Sequence, residues 1–324
     1  MKRTTQRSQR GAALLAAMLT VALVATLAAG AMWQQWRSIE VESAERQRSQ
    51  ARWLLTGALD WARVILREDA RADNANNPSD SLTEPWAVPL QEARLSSFLA
   101  AMPDGSVTTG NSSEDDNLAQ NVFLSGQITD LQGRLNVTNL MKGDQPDPAA
   151  LAALTRLFDA LGVPPLQLNL LVQGLQAAQR KSPNSGDASS PLMPQRVAQL
   201  TWLGLSPASL KVLTPHLTLL PTATPVNVNT ATQQVLYASV PGLSMSDAQR
   251  LVQQRERTPW STLEDFVKAV GRPVELQNSH SVNTQFFEVL GRLRMSQTTL
   301  QERSLVKRET SNQTVIWREF GSLQ

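Results

Sequence analysis

A chain of 324 residues is long enough for more than one domain, or for one domain carrying a large insertion. Its formal net charge of +2 comes from 30 Lys and Arg against 28 Asp and Glu, and leaves no sustained basic stripe to attract nucleic acid. With no cysteine there is no disulfide, thiolate metal site or cysteine nucleophile, and neither His216 nor His280 stands in a metal-ligand spacing.

Residues 1–11, MKRTTQRSQRG, carry Lys2, Arg3, Arg7 and Arg10 and no acid. From Ala12 to Trp33 there is no charge, and about 20 apolar residues cross a bilayer as a helix. Trp33 and Trp36 stand where an interfacial aromatic belt falls, and the basic flank favours a cytoplasmic N-terminus. Three readings fit this run. It is a signal-anchor, or a cleaved signal ending at Ala29-Gly30-Ala31, or a prepilin leader cut after Gly11 with the apolar run retained. Residues 34–72 contain no proline and are rich in Gln, Glu, Arg and Ala, all good helix formers. Leu54, Ala58, Trp61 and Ile65 fall on one face of that helix, with Trp53 beside them. Helix-breaking composition arrives only at residues 73–80, so the apolar run continues into an amphipathic helix. That continuity favours the prepilin reading, in which the apolar half lies in a membrane or filament core and the amphipathic half packs on a sheet.

Residues 73–120 are polar and loop-like, with prolines at 78, 85, 89 and 103. Residues 122–140, VFLSGQITDLQGRLNVTNL, read as two strands joined by a turn at Asp130–Gly133. Asp147-Pro148 supplies an N-cap and a first-turn proline, and Gly162 ends that helix. A second helix runs from Leu166 to Gln179, a loop follows at residues 181–191, and Ser206-Pro207 opens another helix. Thr230 with Gln233, Ser246 with Gln249 and Ser261 with Glu264 have capping-box spacing, which predicts three helices in close succession. From Phe286 the pattern alternates again, and LQERSLVKRE and TVIWREF are two further strands joined by a turn at Thr310-Ser311-Asn312. A helical block between strands reads as an insertion into one α+β domain. The serines lack a G-x-S-x-G elbow, and no P-loop or G-x-G-x-x-G is present, so the expectation is a protein without enzymatic activity.

The RGAALL leader, ITDLQGRLNVTNL (128–140), VNVNTATQQVL (226–236) and the three closing strands, in this order, resemble the minor pseudopilin K family of type II secretion. The likeness extends over nearly the whole chain. It implies an α+β pilin-like fold: a long transmembrane and amphipathic helix on an antiparallel sheet, with a large all-α insertion. The implied division is a leader at 1–11, a transmembrane segment at 12–33 and an amphipathic helix at 34–72. The first part of the pilin-like domain follows at 73–145, the insertion at 146–280 and the closing strands at 281–324. The resemblance also implies prepilin-peptidase cleavage between Gly11 and Ala12, with methylation of the new amine at Ala12. Most pilins carry glutamate at the fifth mature position; here that position is Ala16, a departure the K family shares. Leu14, Leu15 and Leu19 are then membrane and helix contacts, and Trp53, Leu54, Ala58, Trp61 and Ile65 bury the helix on the sheet or on a partner. The implied location is the inner membrane, single-pass, with the bulk in the periplasm. The implied partners are minor pseudopilins of the I, J and H types, the major pseudopilin, prepilin peptidase, and secreted substrates or the outer-membrane secretin. The implied role is at the pseudopilus tip, in export across the outer membrane. No cofactor is required, although the resemblance implies a capacity for calcium, for which the acidic loop Glu114, Asp115 and Asp116 offers clustered oxygens.

A second resemblance lies inside the insertion. VNVNTATQQVLYASVPGLSMSDAQRLVQQRE is similar to a helix-hairpin-helix, with Pro241-Gly242-Leu243-Ser244 as the hairpin. Such hairpins present backbone amides to DNA phosphates, which gives the rival reading of a DNA-binding component of an uptake machine. Ser244 stands where the second glycine usually does, and Arg250, Arg255 and Arg257 are offset by Asp247, Glu256, Glu264 and Asp265.

Overall fold

The computed structural model describes residues 9–76, 79–100, 121–179, 191–276, 278–295, 298–309 and 312–323. The chain forms two compact units, residues 1–56 and 57–324. Helix α1 (Gln9–Asn76) is unbroken, as the lack of proline and the run of strong helix formers predict.

In the second unit, five antiparallel strands form one sheet in the order β1-β2-β9-β10-β11. They are β1 (Leu90–Arg94), β2 (Val122–Asp130), β9 (Phe286–Met295), β10 (Thr298–Arg308) and β11 (Gln313–Leu323). A short helix, α2 (Leu95–Ala100), follows β1. Neighbouring strands β2 and β9 are far apart in sequence, and the residues between them build a separate helical layer. That layer holds α3 (Pro148–Ala160), α4 (Pro165–Gln179), α5 (Pro207–Leu213), α6 (Gln233–Ser239), α7 (Met245–Arg257) and α8 (Leu263–Val270). Short strand pairs stitch it together: β3 (Leu135–Asn136) with β6 (Leu217–Thr218), β4 (Met141–Lys142) with β5 (Gln145–Pro146), and β7 (Val226–Asn227) with β8 (His280–Ser281). The architecture is α+β, as expected.

Residues 122–140 differ from the expected hairpin. After the turn at 131–134 only Leu135 and Asn136 are extended, and they pair in parallel with β6, not with β2. The Asn136 side chain then accepts from the Thr138 amide and caps a 3-10 turn over Val137–Leu140. Asp147 and Ser206 cap α3 and α5, each followed by a first-turn proline, and Gly162 takes the left-handed conformation just past α3. The three succeeding helices exist, but their caps are Thr232, Ser244 and Thr262, not Thr230, Ser246 and Ser261. In each Ser/Thr-rich stretch the choice follows the apolar face of the helix. In α6 that face is Val235, Leu236 and Ala238. Thr230 donates its hydroxyl to Asp130 instead.

Leu59, Ala62 and Leu66 of α1 pack with Trp86 against Ile128, Phe287, Val289 and Val306 on one face of the sheet. The Trp86 and Phe287 rings meet edge to face at 5.1 Å. On the other face Leu131, Leu220, Phe286 and Leu305 join sheet and insertion, with Trp317 against them. The insertion has its own core, which includes Leu157, Phe158, Leu171, Leu236, Leu251 and Phe266.

The buried line of α1 is one residue removed from the expected one. Leu59, Ala62, Leu66 and Ala70 are buried; Leu54, Ala58, Trp61 and Ile65 are half-buried on its flank, and Trp53 is 75% exposed. All four flanking positions share the helical period of the true seam, which is why spacing alone did not separate the two lines. Replacing Ala62 with Glu forces an unpaired charge into the seam and is expected to cost about 3–5 kcal/mol in urea unfolding. Ala58→Glu, on the flank, is expected to cost less than half as much; equal losses would return the seam to the flanking line.

Candidate functional site

Two features of the chain ask for a functional account: the apolar stretch of α1, and a buried polar junction where α1, the sheet and the insertion meet.

Every residue from Ala12 to Gln50 is exposed. Leu14, Leu15 and Leu19 are 66–70% exposed, and burying each such side chain is worth about 1.5–3 kcal/mol. Within residues 12–33 the polar side chains, Thr20 and Thr26, donate back to the carbonyls of Ala17 and Leu23 at 2.9 and 2.8 Å. The helix therefore shows its surroundings almost purely apolar surface with its own polar groups satisfied, as a bilayer requires. It is long and apolar enough to cross a membrane. Arg37 stacks over Trp33 at 5.7 Å where the charge resumes, and Glu42–Arg46 and Glu45–Arg48 pairs follow along the helix. Gly11 and Ala12 lie near the start of α1.

The junction is built around Arg308, at the end of β10. Its guanidinium is 7% exposed and pairs with Asp69 of α1 and with Asp80, stacking on the Phe287 ring at 4.9 Å. Arg308 also donates to the Thr284 carbonyl at 2.9 Å. Asp80 belongs to the segment that follows α1. Its amide donates to Val282, and its side chain accepts from the Thr284 amide at 2.6 Å. Its carbonyl accepts from Asn227 of the insertion. Burial pushes the Asp80 carboxyl up from the ordinary carboxylate range, and the charge of Arg308 opposes this.

Asp130, at the end of β2, accepts four hydrogen bonds: from the Gln132 amide, Asn227, Thr230 and Thr284, at 2.5–2.9 Å. Burial pushes its carboxyl up, and the Thr230 and Thr284 hydroxyls pull it down. The same network fixes Gly133, where an added Cβ would meet Thr230 at 2.7 Å. These residues have no sequence motif. The one available signal is parity: Asp130 shares a strand face with Leu124 and Ile128, and Arg308 shares one with Val306, so each puts a charge on an apolar face.

The expected metal candidates Glu114, Asp115 and Asp116 lie outside the described residues. Among the described residues, one group of three carboxylates, Asp69, Asp80 and Glu84, lies within 4.8 Å. It does not fit a resident calcium ion. Arg308 already supplies the cation to two of them, and the third accepts from the Trp86 indole at 2.5 Å.

The helix-hairpin-helix geometry is present, with Gly242 left-handed between α6 and α7. Arginines in and around it, however, bind the protein's own backbone carbonyls. Arg156 donates to the Val240 and Leu243 carbonyls, Arg272 to Pro241, and Arg250 to Ala269. The Ser244 hydroxyl caps α7 and binds the Asp247 carboxylate at 2.6 Å, holding it below the usual carboxylate range. A negative charge thus already occupies the helix end that a phosphate would use. Arg255 is buried and donates to Val228, tying α7 to the preceding turn. The motif is a packing unit.

His280 is buried between the Ser279 and Ser239 hydroxyls, and burial pushes its pKa down to about 4. Its contribution to stability is complete above its unfolded pKa of about 6.5 and is lost as pH falls through 4, up to about 3 kcal/mol. His280→Gln is expected to flatten the fall in melting temperature between pH 7 and pH 4.5. Arg308→Met withdraws the guanidinium from the buried Asp69 and Asp80 carboxylates and is expected to cost about 3–5 kcal/mol in urea unfolding. Adding Asp80→Asn to that variant is expected to recover part of the loss.

Two family profiles described as Type II secretion system (T2SS), protein K match residues 133–222 and 226–283. The type II secretion system protein K of Pseudomonas aeruginosa is 26% identical over 309 residues, covering 88% of this chain and 84% of that protein. Those of Pectobacterium carotovorum and Klebsiella pneumoniae are each 27% identical, covering 97% of both chains. A chain of the GspK–GspI–GspJ complex from enterotoxigenic Escherichia coli, 17% identical, superposes with a TM-score of 0.60 over 86% of this chain and 98% of its own. The long apolar helix, the interrupted sheet and the helix-hairpin-helix packing unit thus accompany a likeness to type II secretion system protein K that extends over nearly the whole chain.

Proposed function

We propose that the protein is a minor pseudopilin at the tip of the pseudopilus, where it has a structural and not an enzymatic role in exporting proteins across the outer membrane. The observation that carries this reading is the combination of α1 with the insertion. Residues 12–33 need a bilayer or neighbouring helices to cover them, and a filament core of packed α1 helices provides that cover. The helical layer inserted between β2 and β9 adds bulk that would collide with a subunit stacked above, so the subunit is suited to the end of the filament. The solved relative is complexed with GspI and GspJ, which supports assembly with minor pseudopilins of the I and J types. The H type and the major pseudopilin complete the proposed assembly, and secreted substrates or the secretin are its proposed contacts at the tip.

In this reading prepilin peptidase removes residues 1–11 and methylates Ala12. The protein then waits in the inner membrane with its bulk in the periplasm. Ala16 lacks the carboxylate with which other pilins pair a neighbour's terminal amine, which suits a subunit with no neighbour above it. The mass of the N-terminal peptide of the protein purified from its own envelope tests this. A chain beginning at methylated Ala12 is expected, and Gly11→Val is expected to retain the leader. A chain beginning at Met32 would establish signal-peptide cleavage and end the pseudopilin reading.

A further inference from the structure

The segment Ser79–Val88 connects α1 to the sheet, and its interior is polar where the neighbouring core is apolar. Ser79, Asp80, Ser81 and Trp86 are buried in it. Glu84 turns inward and is held on both oxygens. One accepts from the Ser81 amide and hydroxyl at 2.9 and 3.2 Å, the other from the Trp86 indole at 2.5 Å. Asp69 of α1 and Asp80 lie within 4.8 Å of it, oxygen to oxygen. The charged groups that face this point are Asp69 from α1, Asp80 from the segment itself, Arg308 from β10 and Asp130 from β2, behind Asp80. Arg308 pairs with Asp69 and Asp80, so the half-buried Glu84 adds a third carboxylate where one guanidinium already serves two. Like charges so close raise the cost of ionising all three, which favours a bound proton against the pull of the Ser81 and Trp86 donors.

We propose that this junction is a proton latch: a proton held by Glu84 between Asp69 and Asp80 pins Ser79–Val88 onto α1 and the sheet, and its loss above neutral pH loosens that segment. Burial first, and the charges of Asp69 and Asp80 in addition, push the Glu84 carboxyl up to about 7, against the pull of the Trp86 indole. Because the folded pKa lies above the unfolded one, the stabilisation is complete below about pH 4.5 and is lost as pH rises through 7. The latch bears on both layers. Asp80 binds Val282, Thr284 and Asn227, so a loosened segment also weakens the hold of the insertion on the end of α1.

Amide hydrogen exchange on the full-length chain in detergent, read by mass on peptides covering residues 79–88, tests the latch. Between pH 6 and pH 8.5, after correction for intrinsic exchange, protection of this segment is expected to fall about ten-fold, while a peptide from α7 changes less than about two-fold. In Glu84→Gln, a neutral isostere, the pH response is expected to shrink below about two-fold. Trp86→Phe removes the indole that favours the charged carboxylate and is expected to move the midpoint to higher pH, which gives an independent readout should Glu84→Gln fold poorly. The proposal is overturned by a segment whose protection follows the α7 control, by an undiminished response in Glu84→Gln, or by a response that disappears once divalent cations are stripped with EDTA.

Discussion

One guanidinium ties the second unit together. Arg308 reaches from the end of β10 to Asp69 on α1, to Asp80 in the connecting segment and to the Thr284 carbonyl at the point where the insertion returns to the sheet. Apolar packing alone would hold these layers with less directional constraint, because hydrophobic contact is non-directional. A buried ion pair adds little net stability over a well-packed apolar replacement. It does penalise any arrangement in which the charges fail to meet. Arg308, Asp69 and Asp80 accordingly fix how the layers of this unit face one another, while Leu59, Leu66, Phe287 and Val306 supply most of the driving force beside them.

The two ends of α1 obey different solvents. Through residues 12–33 its side chains are apolar on all sides, and even the two threonines return their hydroxyls to the helix. From Leu59 onward only a narrow line is buried, while Arg63 and Asp60 pair near the surface and Arg63 grips the Gln313 carbonyl at the start of β11. A continuous helix lets one element serve both environments, since each turn satisfies its own backbone whatever lies outside it. The hairpin of the insertion shows a related economy: Arg156 and Arg272 bind its carbonyls, and a motif used elsewhere to hold phosphate here holds its neighbours.

Much of the fold was legible because it rests on local rules. Charge-free residues, the absence of proline, Asp147-Pro148, Ser206-Pro207 and the closing alternation each identify an element from its own sequence. Three features were not legible at the level of single residues. The seam of α1 lay one position away from the predicted line, because two adjacent lines of a helix share a period and only the shape of the sheet selects between them. The caps fell at Thr232, Ser244 and Thr262, because several hydroxyls competed in each stretch and tertiary contacts claimed Thr230. The strand after the turn at 131–134 paired with β6 rather than β2, a long-range choice that no local pattern records. The polar junction is the extreme case. Asp69, Asp80, Asp130 and Arg308 come from four separate places in the chain, and nothing but the fold brings them together.

The placement of the helical layer between β2 and β9 has a kinetic consequence. These strands are adjacent in the sheet, yet residues 131–285 must be organised before they can pair. Closing a loop of that length while it is unfolded is entropically unfavourable, and pairing over large sequence separation is slow. An insertion that folds first through its own core brings its two ends together and shortens the effective loop. As the chain emerges N-terminus first, β2 waits with an unpaired edge until β9 and β10 arrive. The helical layer is therefore positioned to act as the early-folding scaffold on which the sheet is completed.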